Sequence, residues 1–400
     1  MKELRIGLIG ASGRGALADY SHQPDNGVRL VAAAEIYPEA AERFRERFQK
    51  KFSCVPTLYT DYREMIEKEA LDGVFITTPD FLHCEHACFA LNHKVAVYLE
   101  KPLAISIADA DKILETAWRN RTRLVIGHNM RYMGFTQKMK EVIDRGDIGE
   151  VRSVWCRHFI SYGGDAYFRD WHACEKYSNS LLLQKGAHDI DVIHWLAGGY
   201  ARRVNGMGNL TVYDKLPRRA PGEERIREGI SSVWTAKHWP PMEQKDMFPV
   251  VEVNDLNMIN LELDNGVLAC YLQCHYTPDC CRNYTVIGTR GRIENQGDGS
   301  NCSIQVWTCR SDGYSLEGDA TYRVHAPVDN HGGADPQIVQ SFIDALRDLP
   351  FHGASAQAAR NSVAAGCCGA DSIRQGGMAL EVPPLPEHLL NFDFAYAREK

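Results

Sequence analysis

Short apolar runs alternate with charged, amphipathic stretches through the first third of the chain. Residues 4–9, 28–34, 73–79, 94–99 and 123–127 are compact, nearly continuous hydrophobic runs of strand length. Runs of that kind suit strands covered on both faces. Between them, residues 39–51, 83–91 and 109–119 have helical composition and length, and a further helix begins at Asp61. Strands and helices in this rhythm predict a doubly wound parallel sheet, an α/β architecture. From about Glu150 the rhythm changes to longer strands at residues 151–157, 256–263, 268–276, 284–288 and 303–307. The second and third of these flank the turn Asp264-Asn265-Gly266, a hairpin signal. This part predicts an α+β domain, a mixed sheet with helices on one face.

A chain of 400 residues exceeds one ordinary core. The change of pattern sets the boundaries at residues 1–127 and 128–400. The formal charge of −7 is spread along the chain and offers no basic stripe for nucleic acid. No apolar run reaches the roughly 18 residues that a membrane span needs. Met1-Lys2-Glu3 leads directly into the first strand, as expected of a chain without a signal peptide. The 13 cysteines are odd in number, and the adjacent pairs Cys280-Cys281 and Cys367-Cys368 lack zinc-ligand spacing. Reduced thiols, a cytoplasmic location and no resident metal are the expectations.

Candidate chemistry gathers at the ends of the predicted strands, where open α/β sheets bind ligands. The first strand runs into Gly10-Ala11-Ser12-Gly13-Arg14-Gly15. Gly10 and Gly15 fit the first and third glycines of a dinucleotide fingerprint, and Ser12 replaces the second, with Gly13 beside it. Glu35 closes the second strand and can accept hydrogen bonds from ribose hydroxyls. Its charge repels a 2′-phosphate, so NAD is expected, although Arg14 could pair with a phosphate. Thr77, Thr78 and Pro79 end another strand, and Glu100-Lys101-Pro102 ends the next, placing an ammonium group at a ligand-binding edge.

The glycine turn, Thr78-Pro79-Asp80-Phe81-Leu82-His83, Glu100-Lys101-Pro102 and Gly186-Ala187-His188-Asp189-Ile190-Asp191 together strongly resemble the glucose–fructose oxidoreductase / inositol dehydrogenase / MocA family. The resemblance covers nearly the whole chain. It implies a Rossmann domain followed by a domain on an open, mostly antiparallel sheet that carries substrate and subunit contacts, hence a homo-oligomer, dimer or tetramer. It also implies that Lys101 hydrogen-bonds the reacting hydroxyl and that His188 is the active-site histidine. The expected cofactor set is Gly10, Ser12, Gly13, Arg14, Gly15, Glu35, Thr78, Pro79, His83, Glu100 and Lys101. Members commonly carry an aspartate one helical turn before the histidine; here that position is Gln184, which cannot act as a base but can hydrogen-bond a sugar hydroxyl. Proton abstraction then falls to His188, since imidazole titrates near neutral pH.

Asn129 and Arg131, just past the last Rossmann strand, and Arg169 and Trp171, ahead of the His188 helix, complete the expected substrate contacts. His128, His172 and His275 are as readily structural as chemical, and Lys185 should point away from His188 on a helix. The proline-rich stretch 213–250, with Trp234, Lys237, His238 and Trp239, reads as a ligand cover, a subunit brace or a plain surface insertion. The expected activity is NAD-dependent oxidation of a secondary hydroxyl on a sugar, polyol or glycoside. A redox-neutral NAD-dependent glycosidase is the alternative, and a non-catalytic NAD-sensing protein the third reading.

Overall fold

The computed structural model describes residues 2–225, 239–327 and 331–399. Trp234, Lys237 and His238 lie outside the described residues. Internal contacts divide the chain into two units. The first comprises Met1–Tyr132, Gly333–Arg360 and Leu385–Lys400, and the second Met133–Gly332 and Asn361–Pro384.

The first unit is built on a six-stranded, wholly parallel sheet of order β3-β2-β1-β4-β5-β6. Its strands are β1 (Leu4–Ile9), β2 (Val28–Ala34), β3 (Thr57–Tyr59), β4 (Gly73–Ile76), β5 (Ala96–Leu99) and β6 (Leu124–Ile126). The central strands are buried on both faces, which accounts for their unbroken apolar runs. Edge strand β3 is three residues long and half-exposed, so no apolar run announces it. Strand order reverses between β1 and β4, opening the crevice at the carboxyl ends that the glycine turn and Lys101 were expected to line. Helix Pro38–Phe52 buries Ala40, Phe44 and Phe48, one side chain per turn. Helix Ala334–Leu346, far along the chain, belongs here because Phe342 is fully buried against Phe75 and Tyr98, at ring-centroid distances of 5.2 and 5.9 Å.

The second unit carries a nine-stranded sheet of order β14-β13-β12-β11-β7-β10-β9-β8-β15. Its strands are β7 (Val151–Phe159), β8 (Ala201–Asn209), β9 (Leu256–Leu263), β10 (Leu268–Cys274), β11 (Cys281–Gly288), β12 (Arg292–Gln296), β13 (Asn301–Trp307), β14 (Ala320–His325) and β15 (Leu380–Glu381). Every pairing is antiparallel except β7 with β10. The expected α/β plus mostly antiparallel architecture is therefore present. Strand β8, with Arg202, Arg203, Gly206 and Gly208, lacks a clean apolar alternation and is not legible as a strand. Helix Gly186–Ala197 lies on the inner face, and a Cβ on Gly186 would sit 3.0 Å from the Tyr271 ring. Glycine at that position lets the helix start approach the sheet closely.

Candidate active site

In the first unit, contacts at Gly10 and Gly15 of the glycine turn leave no room for side chains. Gly10 has φ +87° and receives the Thr77 hydroxyl at 2.7 Å on its carbonyl. A Cβ on Gly15 would lie 2.4 Å from the Gly10 carbonyl oxygen, so the first and third glycines are sterically required. At Gly13, exposed and with φ +50°, nothing lies within 4 Å of a Cβ position. That open backbone at the start of a helical turn is where a pyrophosphate can approach amide groups. Glu35 is buried beside it: Oε2 accepts from the Ala11 and Ser12 amides at 3.0 and 3.2 Å, and Oε1 from the Tyr37 amide at 3.2 Å. The carboxylate thus sits at the tip of β2 against the loop, held by three backbone amides, two of them in the turn.

The two strand-end motifs are tied together by His83. Its Nδ1 lies 2.8 Å from the Pro102 carbonyl and its Nε2 3.0 Å from the Thr78 carbonyl. The fully buried ring therefore spans the ends of β4 and β5; burial lowers its pKa, against the pull of the two carbonyls. His83 was expected among the cofactor contacts, and both ring nitrogens are directed at backbone carbonyls. The Thr78 hydroxyl meets Nδ1 of His86 at 3.0 Å, and burial takes His86 down to about 4. Glu100 turns back into the unit. Its Oε1 accepts from Arg14 Nε at 2.8 Å and from the Tyr98 hydroxyl at 3.3 Å, and its Oε2 from the Lys101 amide at 3.2 Å. Lys101 itself is half-buried at the carboxyl end of β5. Arg14 is held by carboxylates rather than left to a phosphate, since Asp335 also binds it. Asn129 is buried with Nδ2 on Asp335 at 2.9 Å, while Arg131 is half-buried.

In the second unit Gln184 and His188 are both buried, four residues apart across the junction of the short helix Leu181–Gln184 and helix Gly186–Ala197. Beneath them is a polar layer on the inner sheet face. Asp189, with no exposed surface, accepts at Oδ1 from Arg282 Nε (3.0 Å) and the Tyr284 hydroxyl (2.5 Å). At Oδ2 it accepts from His158 Nδ1 (2.9 Å) and the Tyr271 hydroxyl (2.8 Å). Burial works to raise the Asp189 carboxyl, but His158 and the Arg282 guanidinium hold it below the usual carboxylate range. Burial, reinforced by Arg282, takes His158 down to about 3, so at neutral pH its Nδ1–H donates to Asp189 and its Nε2 keeps a lone pair. His158 Nε2 and both ring nitrogens of the fully buried His275 have no hydrogen-bond partner among the described residues. Burial, then the charges of His158 and Lys185, lowers the His275 pKa well below its ordinary value.

Lys185 lies between the two helices, next to aromatic side chains and buried histidines. Its ammonium lies 5.7 Å from the Tyr162 ring centroid and 5.9 Å from that of Tyr167, and its charge acts on His158 and His275. The short helix ends at Gln184 and the next starts at Gly186, with Lys185 in the helical region and its amide on the Leu181 carbonyl at 2.9 Å. Arg169 is buried with Nη1 on Asp165 at 2.9 Å and Nε on the Lys245 carbonyl at 3.0 Å. Trp171 is half-buried and stacks on His172 with centroids 3.7 Å apart. Lys101 belongs to the first unit, and Gln184, Arg169, Trp171 and His188 to the second. Sequence reading passed over His158, Tyr271, Gln273, Arg282 and Tyr284. The available signal was polar residues at alternate, inward positions of strands with buried neighbours.

Residues 4–128 match the family model described as an oxidoreductase family with an NAD-binding Rossmann fold, GFO/IDH/MocA, and residues 136–294 match the GFO/IDH/MocA C-terminal domain. The Bacillus subtilis (strain 168) protein YteT is 26% identical over 360 residues, 80% of this chain and 84% of that protein. Inositol 2-dehydrogenase of Salmonella typhimurium is 31% identical over 193 residues, which is 48% of this chain and 52% of that enzyme. The likeness to that enzyme thus spans about half of its length. A levoglucosan dehydrogenase solved with NADH and levoglucosan shares the fold, with a TM-score of 0.76 over 96% of this chain and 100% of that one at 17% identity.

The His158–Asp189 pair makes stability depend on pH. His158 titrates at 6.5 when unfolded and at about 3 when folded. Between those values the unfolded chain binds one more proton, so stability is full above the unfolded value and is lost as pH falls toward the folded one. In His158→Gln, the slope of unfolding free energy between about pH 4 and 6 should fall by up to about 1.4 kcal/mol per pH unit. Urea unfolding followed by far-UV circular dichroism measures it.

Proposed function

The chain belongs to the GFO/IDH/MocA oxidoreductase family, and on that premise we propose that it oxidises a secondary hydroxyl of a sugar, polyol or glycoside with NAD. The observation that carries the reading is the pairing of a glycine turn open at Gly13 with Lys101 at the end of β5 in one parallel sheet. The hydroxyl loses its proton to a base and its carbon-bound hydrogen as hydride, leaving a ketone. Bound NAD supplies the hydride acceptor. Lys101 donates a hydrogen bond to the substrate oxygen and favours the negative charge that builds on it. His188 takes the hydroxyl proton. Gln184, Arg169, Trp171, Asn129 and Arg131 orient the remaining hydroxyls. The cofactor side fits NAD: Glu35 puts a carboxylate where a 2′-phosphate would be repelled, and Arg14 is engaged by Glu100.

Gln184 supports a second reading. An amide here cannot exchange a proton as the aspartate implied by the family resemblance would, and the same oxidation could open a redox-neutral cleavage of a glycoside by elimination, hydration and re-reduction. A panel of sugars, polyols and aryl glycosides, read for NADH absorbance and released aglycone together, separates the two. Stoichiometric NADH supports the dehydrogenase, and aglycone without net NADH supports the glycosidase. Under either reading Lys101→Ala should lower kcat by roughly a hundredfold or more while NADH binding persists. Near-normal turnover would remove Lys101 from the mechanism, and NAD binding with no turnover on the panel would favour a sensing role.

The outward face of the nine-stranded sheet supports a homo-oligomer. Met207, Met258, Leu268, Trp155 and Ile287 are 76, 52, 60, 46 and 46% exposed and share that face by strand register. Exposed apolar surface of this extent marks an interaction face. All thirteen cysteines carry free thiols, in keeping with a cytoplasmic enzyme, and no helix among the described residues is long and apolar enough to cross a membrane. Leu268→Glu combined with Met207→Glu should shift the protein from dimer or tetramer to monomer in sedimentation velocity. An unchanged mass would exclude this face as the interface.

A further inference from the structure

The glycine turn is held from an unexpected direction. Arg14, inside the turn, directs Nε to Glu100 Oε1 at 2.8 Å and both Nη atoms to Asp335, at 2.5 and 2.8 Å. Asp335 also accepts from Asn129 Nδ2 at 2.9 Å. The side chains of Glu100 and Asp335 are only 7 and 18% exposed, and that of Arg14 is 29% exposed. A forked, two-bond arginine–carboxylate pair in such a setting is stronger and more directional than an ordinary surface ion pair. It joins three segments remote in sequence: the turn after β1, the residue before Lys101, and the first turn of helix Ala334–Leu346.

Ordinary helix chemistry accounts for part of this. An acidic side chain in a first turn is favoured by the helix dipole. That preference does not require the carboxylate to face a glycine turn, nor both of its oxygens to bind one guanidinium. Gly332 and Gly333, at φ +58° and +78°, bend the chain into the helix just before Asp335.

We propose that Asp335 is a positioning residue for the cofactor turn. By fixing the two Nη atoms it orients Arg14 so that Nε grips Glu100, and so holds residues 12–15 in the shape that keeps the Gly13 backbone open. The same contacts hold the residue preceding Lys101, coupling the phosphate-binding turn to the strand end that bears the lysine. The inference rests on the reading that NAD binds at this turn.

The sign of one substitution separates positioning from simple charge. Asp335→Asn removes a negative charge near an anionic cofactor, so electrostatics alone would tighten NADH binding. Positioning predicts the opposite, a weakening of roughly tenfold, the scale of one lost charge-assisted hydrogen bond. NADH fluorescence titration of wild type, Asp335→Asn, Arg14→Gln and the double variant reads this without turnover, and thermal melting reports folding. The double variant should bind NADH no more weakly than Arg14→Gln alone, because Asp335 acts through Arg14. Asp335→Glu should recover most of the affinity. Unchanged or tighter binding by Asp335→Asn overturns the inference, as does a double variant whose losses multiply. If Asp335→Asn does not fold, Arg14→Gln must by itself weaken NADH binding by a similar factor, and normal affinity there overturns the inference equally. A wild-type protein that fails to bind NADH would instead overturn the cofactor reading beneath it.

Discussion

The second unit is organised by one buried carboxylate. Asp189 has no exposed surface, and leaving such a charge unsatisfied would cost several kcal/mol. Its four close donors come from β7, β10 and β11, three neighbouring strands of one sheet. The register places His158 opposite Arg282 and Gln273, and Cys156 opposite Tyr284 and Tyr271. A one-residue slip of any of these strands would turn its donors to the other face and strand the charge. The carboxylate therefore fixes sheet register and the first turn of the helix that carries His188 in a single arrangement.

The first unit uses charge differently. Glu100 and Asp335 share one guanidinium, and His83 links two strand ends through backbone carbonyls. These contacts act on loops, where chain freedom is greatest, rather than on the parallel strands, which their own apolar faces already secure. The two units thus spend buried polar groups on different tasks: the second on register, the first on the shape of turns.

Much of this was legible in the chain. The parallel strands announce themselves because both of their faces are covered, and the glycine turn and Glu100-Lys101-Pro102 fall at strand ends as their chemistry requires. Edge strand β3 and strand β8 were not legible, because half-exposed or glycine-interrupted segments carry no strong alternation. Arg14 reads locally as a phosphate ligand, and only long-range pairing with Asp335 shows its guanidinium committed elsewhere. His158 and Arg282 were invisible for a related reason. A polar residue facing inward looks like a weak strand until its distant partner is known.

The single parallel pairing in the nine-stranded sheet has its own consequence. Strands β7 and β10 lie side by side, yet the chain between them carries Arg169, Trp171, Gln184 and His188. Neighbouring parallel strands cannot be joined by a tight turn and must be bridged by a long excursion. The excursion is itself packed, with Ile160, Tyr167, Phe168, Ala173 and Leu181 in one buried cluster. The segment that bears Arg169 and Gln184 is therefore held by the sheet at both ends, at Phe159 and Leu268, and along its length by its own core.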